Sequence, residues 1–165
     1  MMNQPSDVYQ HARKTNYISQ VSIDCVIFGF HNQQLKVLVL KFKNSDVYAL
    51  PGGFIRNDED IDAAAARVLW ERAGVKDIYL EQFATFGKVG RNNPALSMQL
   101  LEAAGKPLRE NHWIYDRFLS IGYYALVKRE DYNIKAGFTA SASFGRCRWC
   151  PIRANGWPKT CCKAG

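Results

Sequence analysis

Residues 50–75, LPGGFIRNDEDIDAAAARVLWERAGV, restrict the fold more than any other part of the chain. A glycine pair, Gly52-Gly53, closes an apolar run, and an acidic turn follows it. Asp58 or Asp60 can cap a helix that the periodicity predicts over residues 61–73, with Gly74 as its stop signal. The core face of that helix is Ile61, Ala64, Ala65 and Leu69, at helical spacing. Arg67 and Glu71 are i, i+4 neighbours, and position 68 shares its face with 71 and 72. Carboxylates at 68, 71 and 72 would supply the oxygen ligands that hard cations such as Mg²⁺ take. Cations held in that way clamp a pyrophosphate and activate water. Two of the three positions hold Val68 and Arg72 instead. Glycines at a strand end admit a close approach of phosphate, or simply a tight turn.

The rest of the chain sets strands around this helix. VSIDCVIFGF (residues 21–30) is rich in β-branched and aromatic residues, and LKVLVLKF (35–42) alternates after the turn HNQQ, so the two predict a hairpin. A short strand over 47–50 stops at Pro51-Gly52-Gly53. Further strands are expected over 78–86, 118–127 and 148–152, with a short helix over 95–104. Strands alternating with helices give an α/β or α+β domain with a mixed sheet. The last stretch, RANGWPKTCCKAG (153–165), has neither a helical period nor strand alternation, so a final helix is missing or aberrant. The expected organisation is a loose lead-in over 1–16, one domain over 17–152 and an irregular basic, Cys-rich tail over 153–165.

Charge and cysteine are both unevenly distributed. The net charge is +7, yet Lys135, Arg146, Arg148, Arg153, Lys159 and Lys163 follow Asn133 with no acidic residue among them. The first 132 residues hold sixteen basic and fifteen acidic side chains. A nucleic-acid groove needs basic residues interleaved through the folded part, so direct nucleic-acid binding is not expected without a further domain. Cys25 lies in an apolar run and reads as a small buried hydrophobe. Cys147, Cys150, Cys161 and Cys162 fall in the tail region, where the adjacent pair is poorly placed to share one tetrahedral zinc. No run reaches the roughly 18–20 apolar residues of a membrane span, and the N-terminus lacks an apolar signal core. A cytoplasmic protein is expected.

The opening stretch resembles the Nudix box, G-x5-E-x7-R-E-U-x-E-E-x-G-U, where U is a bulky aliphatic residue. Gly53, Glu59, Arg67, Leu69, Glu71, Gly74 and Val75 match at the required spacing, seven of nine defined positions, and Val68 and Arg72 each replace a glutamate. The resemblance implies a Nudix-type α/β/α sandwich over most of the chain. It also implies hydrolysis of nucleoside diphosphates linked to another group, with Mg²⁺ or Mn²⁺ held by box glutamates. Arg67 and Glu71 are then the catalytic candidates, and Glu71 and Glu59 the metal ligands. Gly52, Gly53, Arg72 and Arg117 are the substrate-binding candidates. A fixed charge at Arg72 opposes metal: two unit charges about 4 Å apart interact by ~4 kcal/mol at an effective dielectric near 20, and a divalent ion doubles that. Any Mg²⁺ or Mn²⁺ is expected to be weakly held.

The R-V-L-x-E-x-x-G form is similar to that of the Nudix-related transcriptional regulators of NAD and sugar metabolism. Their Nudix-like domain senses a ligand such as ADP-ribose or a sugar, and a C-terminal winged-helix domain binds DNA. This chain departs from them in having no stretch that reads as such a domain. Two readings follow. In one, the chain senses a nucleotide-sugar or sugar ligand of the ADP-ribose type without cleaving it; in the other, it is a Mg²⁺-dependent hydrolase of such compounds. Several residues outside the box stay open at this level. Arg91 could reach a ligand phosphate, Tyr123 or Tyr124 could stack on a base, and Glu81 or Glu102 could act as a general base. His112 and Trp113 read as packing. A sheet face lacking its helix would also permit a homodimer.

Overall fold

The computed structural model describes residues 16–128, apart from 32, 43, 92, 104, 106 and 109–111, together with a strand over 144–151. The elements run β1 (Tyr17–His31), β2 (Gln34–Phe42), β3 (Tyr48–Ala49), β4 (Gly52–Arg56), α1 (Ile61–Ala73), β5 (Glu81–Phe86), α2 (Pro94–Ala103), β6 (Leu119–Lys128) and β7 (Phe144–Pro151). A 3₁₀ turn, Trp113–Tyr115, precedes β6. The strands form one mixed sheet in the order β3-β2-β1-β6-β5, with β4 also on β1 and β7 on β2. The expected tail over 153–165 and most of the lead-in over 1–16 lie outside the described residues, as do the side chains of Cys147, Cys150, Cys161 and Cys162.

Strand β1 organises the sheet. Along one edge it pairs in parallel with β6, from Val21 with Leu119 to Phe30 with Lys128. Its other edge is divided: β2 takes Phe28 to His31 and β4 takes Tyr17 and Ser22 to Asp24, both antiparallel. The register shifts between Tyr17 and Ser22, where Gln20 has φ 59°, so a bulge turns the first residues of β1 toward β4. At the division the Cys25 amide donates to the Pro51 carbonyl at 2.8 Å.

Alternation along β1 sends Ile23, Cys25 and Ile27 fully into the core, with the residues between them half-buried. Helix α1 lies over that face and buries Ala64, Ala65, Val68, Leu69 and Ala73. Alanine at three of these positions lets the helix axis approach the sheet closely. The core is completed by Leu38, Leu40, Ile55, Tyr123 and Ala125. The Cys25 thiol faces the Ala65 carbonyl at 3.8 Å, and burial pushes its pKa up to about 12, so it behaves as the small apolar residue its sequence setting indicates.

Helix α1 occupies the expected residues. Asp60 stands at its N-cap without a side-chain cap hydrogen bond, and Gly74 ends it at φ 68°, its N–H returning to the Trp70 carbonyl. Two expectations need correction. Ile61, assigned to the core face, is 42% exposed because it opens the first turn before the helix meets the sheet. Gly52 and Gly53, expected just beyond a strand end, lie within β4 and pair with Asp24 and Ile23 of β1. Neither glycine has a positive φ. Their low strand propensity hides a strand whose backbone bonds come from β1. No helix among the described residues is long and apolar enough to cross a membrane.

Candidate functional site

The site is assembled where β4 turns into α1. The Arg56 amide donates to Glu59 Oε1 at 2.7 Å and closes the acidic turn. Arg67, two turns into the helix, then fills the space between turn and strand. Its Nε donates to Glu59 Oε2 at 2.8 Å, Nη2 to Glu59 Oε1 and to the Phe54 carbonyl, and Nη1 to Glu71 Oε2 at 3.0 Å. Arg56 reaches the other Glu71 oxygen through Nη2 at 3.2 Å. The Arg67 and Glu59 side chains are only 15% and 13% exposed, so this fork is largely shielded from water. The hydrogen bond from Arg67 holds the Glu59 carboxyl below its usual range against the opposing effect of burial. The same bond raises Arg67.

Gly52 and Gly53 mark two close approaches. A Cβ at Gly53 would lie 2.8 Å from Val68 Cγ2, and Val68 is 1% exposed. Position 68 therefore fills the gap between helix and strand, rather than facing outward with 71 and 72. A Cβ at Gly52 would lie 2.7 Å from Asp24 Oδ1. The Gly52 carbonyl accepts from Arg72 Nε at 2.9 Å, and burial is the main influence lowering the Arg72 pKa. Asp24 in turn meets Arg91 Nη2 at 3.4 Å; that nitrogen also donates to Ser120 Oγ at 3.1 Å, and Ser120 pairs with Ser22 at 2.7 Å. The Arg91 guanidinium lies 5.8 Å from the centre of the Phe86 ring. Phe54 packs edge-on to Trp113 at 4.8 Å and against Phe118 at 5.4 Å.

The Gly53 contact gives a direct test. Gly53→Ala is expected to cost about 1–3 kcal/mol, since the stiff Val68 side chain cannot swing clear in a filled core. Adding Val68→Ala should recover part of that loss, which a double-mutant cycle of urea unfolding measures.

The NUDIX domain family model matches residues 18–160. This chain belongs to the NUDIX domain family. The chain is 34% identical over 95 residues to the ADPR responsive transcriptional repressor NtrR of Acinetobacter baylyi, over 54% of this chain and 38% of that protein. It thus spans well under half of that relative's length. Among solved structures, the NUDIX domain of Shewanella oneidensis NrtR complexed with ADP ribose superposes with a TM-score of 0.58 at 25% identity, covering 91% of this chain and 84% of that one. A MutT/nudix family protein from Enterococcus faecalis gives a TM-score of 0.57 at 17% identity, over 91% of this chain and 52% of that one, a likeness of fold.

Within this NUDIX domain, the carboxylates do not fit a divalent cation. Glu71 is the one glutamate left on the helix among the three box positions, and guanidinium groups hold both its oxygens. Both Glu59 oxygens face Arg67. Among the described residues no group of three His, Cys, Asp or Glu is placed to hold a metal ion. Glu59, Arg67, Glu71, Arg72, Gly52 and Gly53 are nonetheless brought to one place. Arg117 is bonded elsewhere, to the Gly87 carbonyl after β5. Tyr123 is buried, with its hydroxyl on Asp62, while Tyr124 donates to Glu81 at 2.8 Å. His112 and Trp113 pack as expected, the rings 5.5 Å apart. Arg56 and Asp24 escaped the sequence reading. Arg56 could have been found from its place three residues before Glu59, but nothing in the sequence joins Asp24 to Arg91.

Proposed function

We propose that the domain is a ligand-sensing module that recognises a nucleoside diphosphate-linked sugar of the ADP-ribose type and does not hydrolyse it efficiently. The observation that carries this reading is the occupation of both remaining box carboxylates by Arg56 and Arg67. A hydrolytic NUDIX site needs carboxylate oxygens available to metal, and here they neutralise the protein's own cations. What remains is a recognition surface: the glycine strand, Arg72 and, beyond Asp24, Arg91 over Phe86. Guanidinium groups suit the paired oxygens of a pyrophosphate. A relative described as ADPR responsive and a similar domain complexed with ADP ribose support this ligand class. Regulation of transcription would then require a DNA-binding partner or segment beyond the domain described here.

The test is calorimetric titration with ADP-ribose alongside measurement of AMP release in Mg²⁺ or Mn²⁺. Saturable binding with negligible AMP release is expected. Metal-dependent turnover that disappears in Glu71→Gln would replace this reading with that of an active hydrolase.

A further inference from the structure

Arg72 occupies a helix position at which the Nudix box carries a carboxylate, and its guanidinium reaches a backbone carbonyl of the neighbouring strand. A hard cation between α1 and β4 would take carboxylate oxygens from the helix and a backbone carbonyl from the strand. On the strand side the Gly52 carbonyl faces the helix, and Arg72 Nε donates to it at 2.9 Å. On the helix side, Glu71 is occupied by Arg67 and Arg56. Gly52 is further fixed from its α-carbon side, where Asp24 leaves no room for a Cβ.

We propose that Arg72 is the resident cation of this site: it takes the place of a divalent metal, fixes the Gly52 carbonyl, and supplies positive charge for a pyrophosphate, so that ligand binding needs no Mg²⁺ or Mn²⁺. The proposal rests on the ligand class given above. Arg72 acts by position as well as by charge, since Nε is held within a planar fork that lysine cannot reproduce. A cation in the last helical turn also complements the helix dipole. Lysine would do that equally well, and the dipole effect would leave metal dependence unchanged.

Two measurements on the full chain test this. In the first, ADP-ribose is titrated in EDTA and in Mg²⁺. The wild-type dissociation constant is expected to agree within about twofold between the two buffers, while Arg72→Gln and Arg72→Lys each weaken binding by about tenfold or more. In the second, Mn²⁺ alone is titrated and followed by electron paramagnetic resonance. Wild type is expected to bind none, whereas Arg72→Glu, which adds a carboxylate beside Glu71 and frees the Gly52 carbonyl, gains a Mn²⁺ site. Circular dichroism melts establish that each variant is folded, and the wild-type titrations need no variant.

Wild-type ADP-ribose binding that requires Mg²⁺ would overturn the proposal. So would tight Mn²⁺ binding by wild type, undiminished ADP-ribose affinity in folded Arg72→Gln, or an Arg72→Glu protein that binds no more Mn²⁺ than wild type. If wild type ignores ADP-ribose in both buffers, the ligand class fails, and the Mn²⁺ comparison still decides whether Arg72 stands where a metal would.

Discussion

Arg67→Met is expected to destabilise the domain by about 3–5 kcal/mol, because removing one partner of a shielded ion pair leaves the other charge stranded. The stranded groups are specific. Glu59 would lose its guanidinium donors and keep only the Arg56 amide on Oε1, Glu71 would lose one of its two donors, and the Phe54 carbonyl its side-chain donor. Urea unfolding measures the loss as a lower midpoint with little change in slope. The same substitution alters the acid limb. The folded Glu59 carboxyl is held below its ordinary value, so its stabilising contribution is fully present above the unfolded glutamate pKa of about 4.3. That contribution is lost as pH falls through the lower, folded value. Wild-type stability should therefore decline below about pH 5, and Arg67→Met should flatten that decline. An unchanged acid limb in a folded variant would show that Glu59 does not depend on Arg67.

Leu69→Ala is expected to cost about 2–5 kcal/mol, the range for emptying a fully packed leucine site. Leu69 is 1% exposed and lies in the cluster that joins α1 to β1, β2, β4 and β6. Ile61→Ala, on the same helix, is expected to cost about 1 kcal/mol or less, in line with its partial exposure. The comparison matters because periodicity assigns both residues to the core face. Equal losses in urea unfolding would mean that the first turn packs more tightly than its exposure indicates. Since α1 carries Arg67, Glu71 and Arg72, losing Leu69 also loosens the base on which the proposed ligand-binding groups stand.

Legibility in the sequence followed the range of the interactions involved. Helix α1 was readable because its period, its acidic start and Gly74 all act within a few residues. The grouping of Glu59, Arg67 and Glu71 was readable because fixed spacing on a turn and helix places them together. Strand β4 was hidden, since glycine has little strand preference and its pairing partner lies about thirty residues earlier in β1. The inward setting of Val68 was hidden for a related reason. The sequence reading groups position 68 with 71 and 72, whereas Val68 turns inward into the space left by the missing side chain at Gly53. The link from Asp24 to Arg91 and Ser120 depends on the sheet alone, as does the pairing of Ser22 with a serine 98 residues away.

That long-range pairing of β1 with β6 divides the site into a local part and a part that depends on distant chain. The clasp of Arg56, Glu59, Arg67 and Glu71 spans sixteen residues of chain and can close as soon as the helix forms, with little loop-closure entropy to overcome. The Arg91 side, in contrast, includes Ser120, and is complete only with β6 docked along β1, a contact of long sequence separation. The charged clasp is thus a local feature of the chain, while the proposed ligand surface would be complete only where the two ends of the sheet have met.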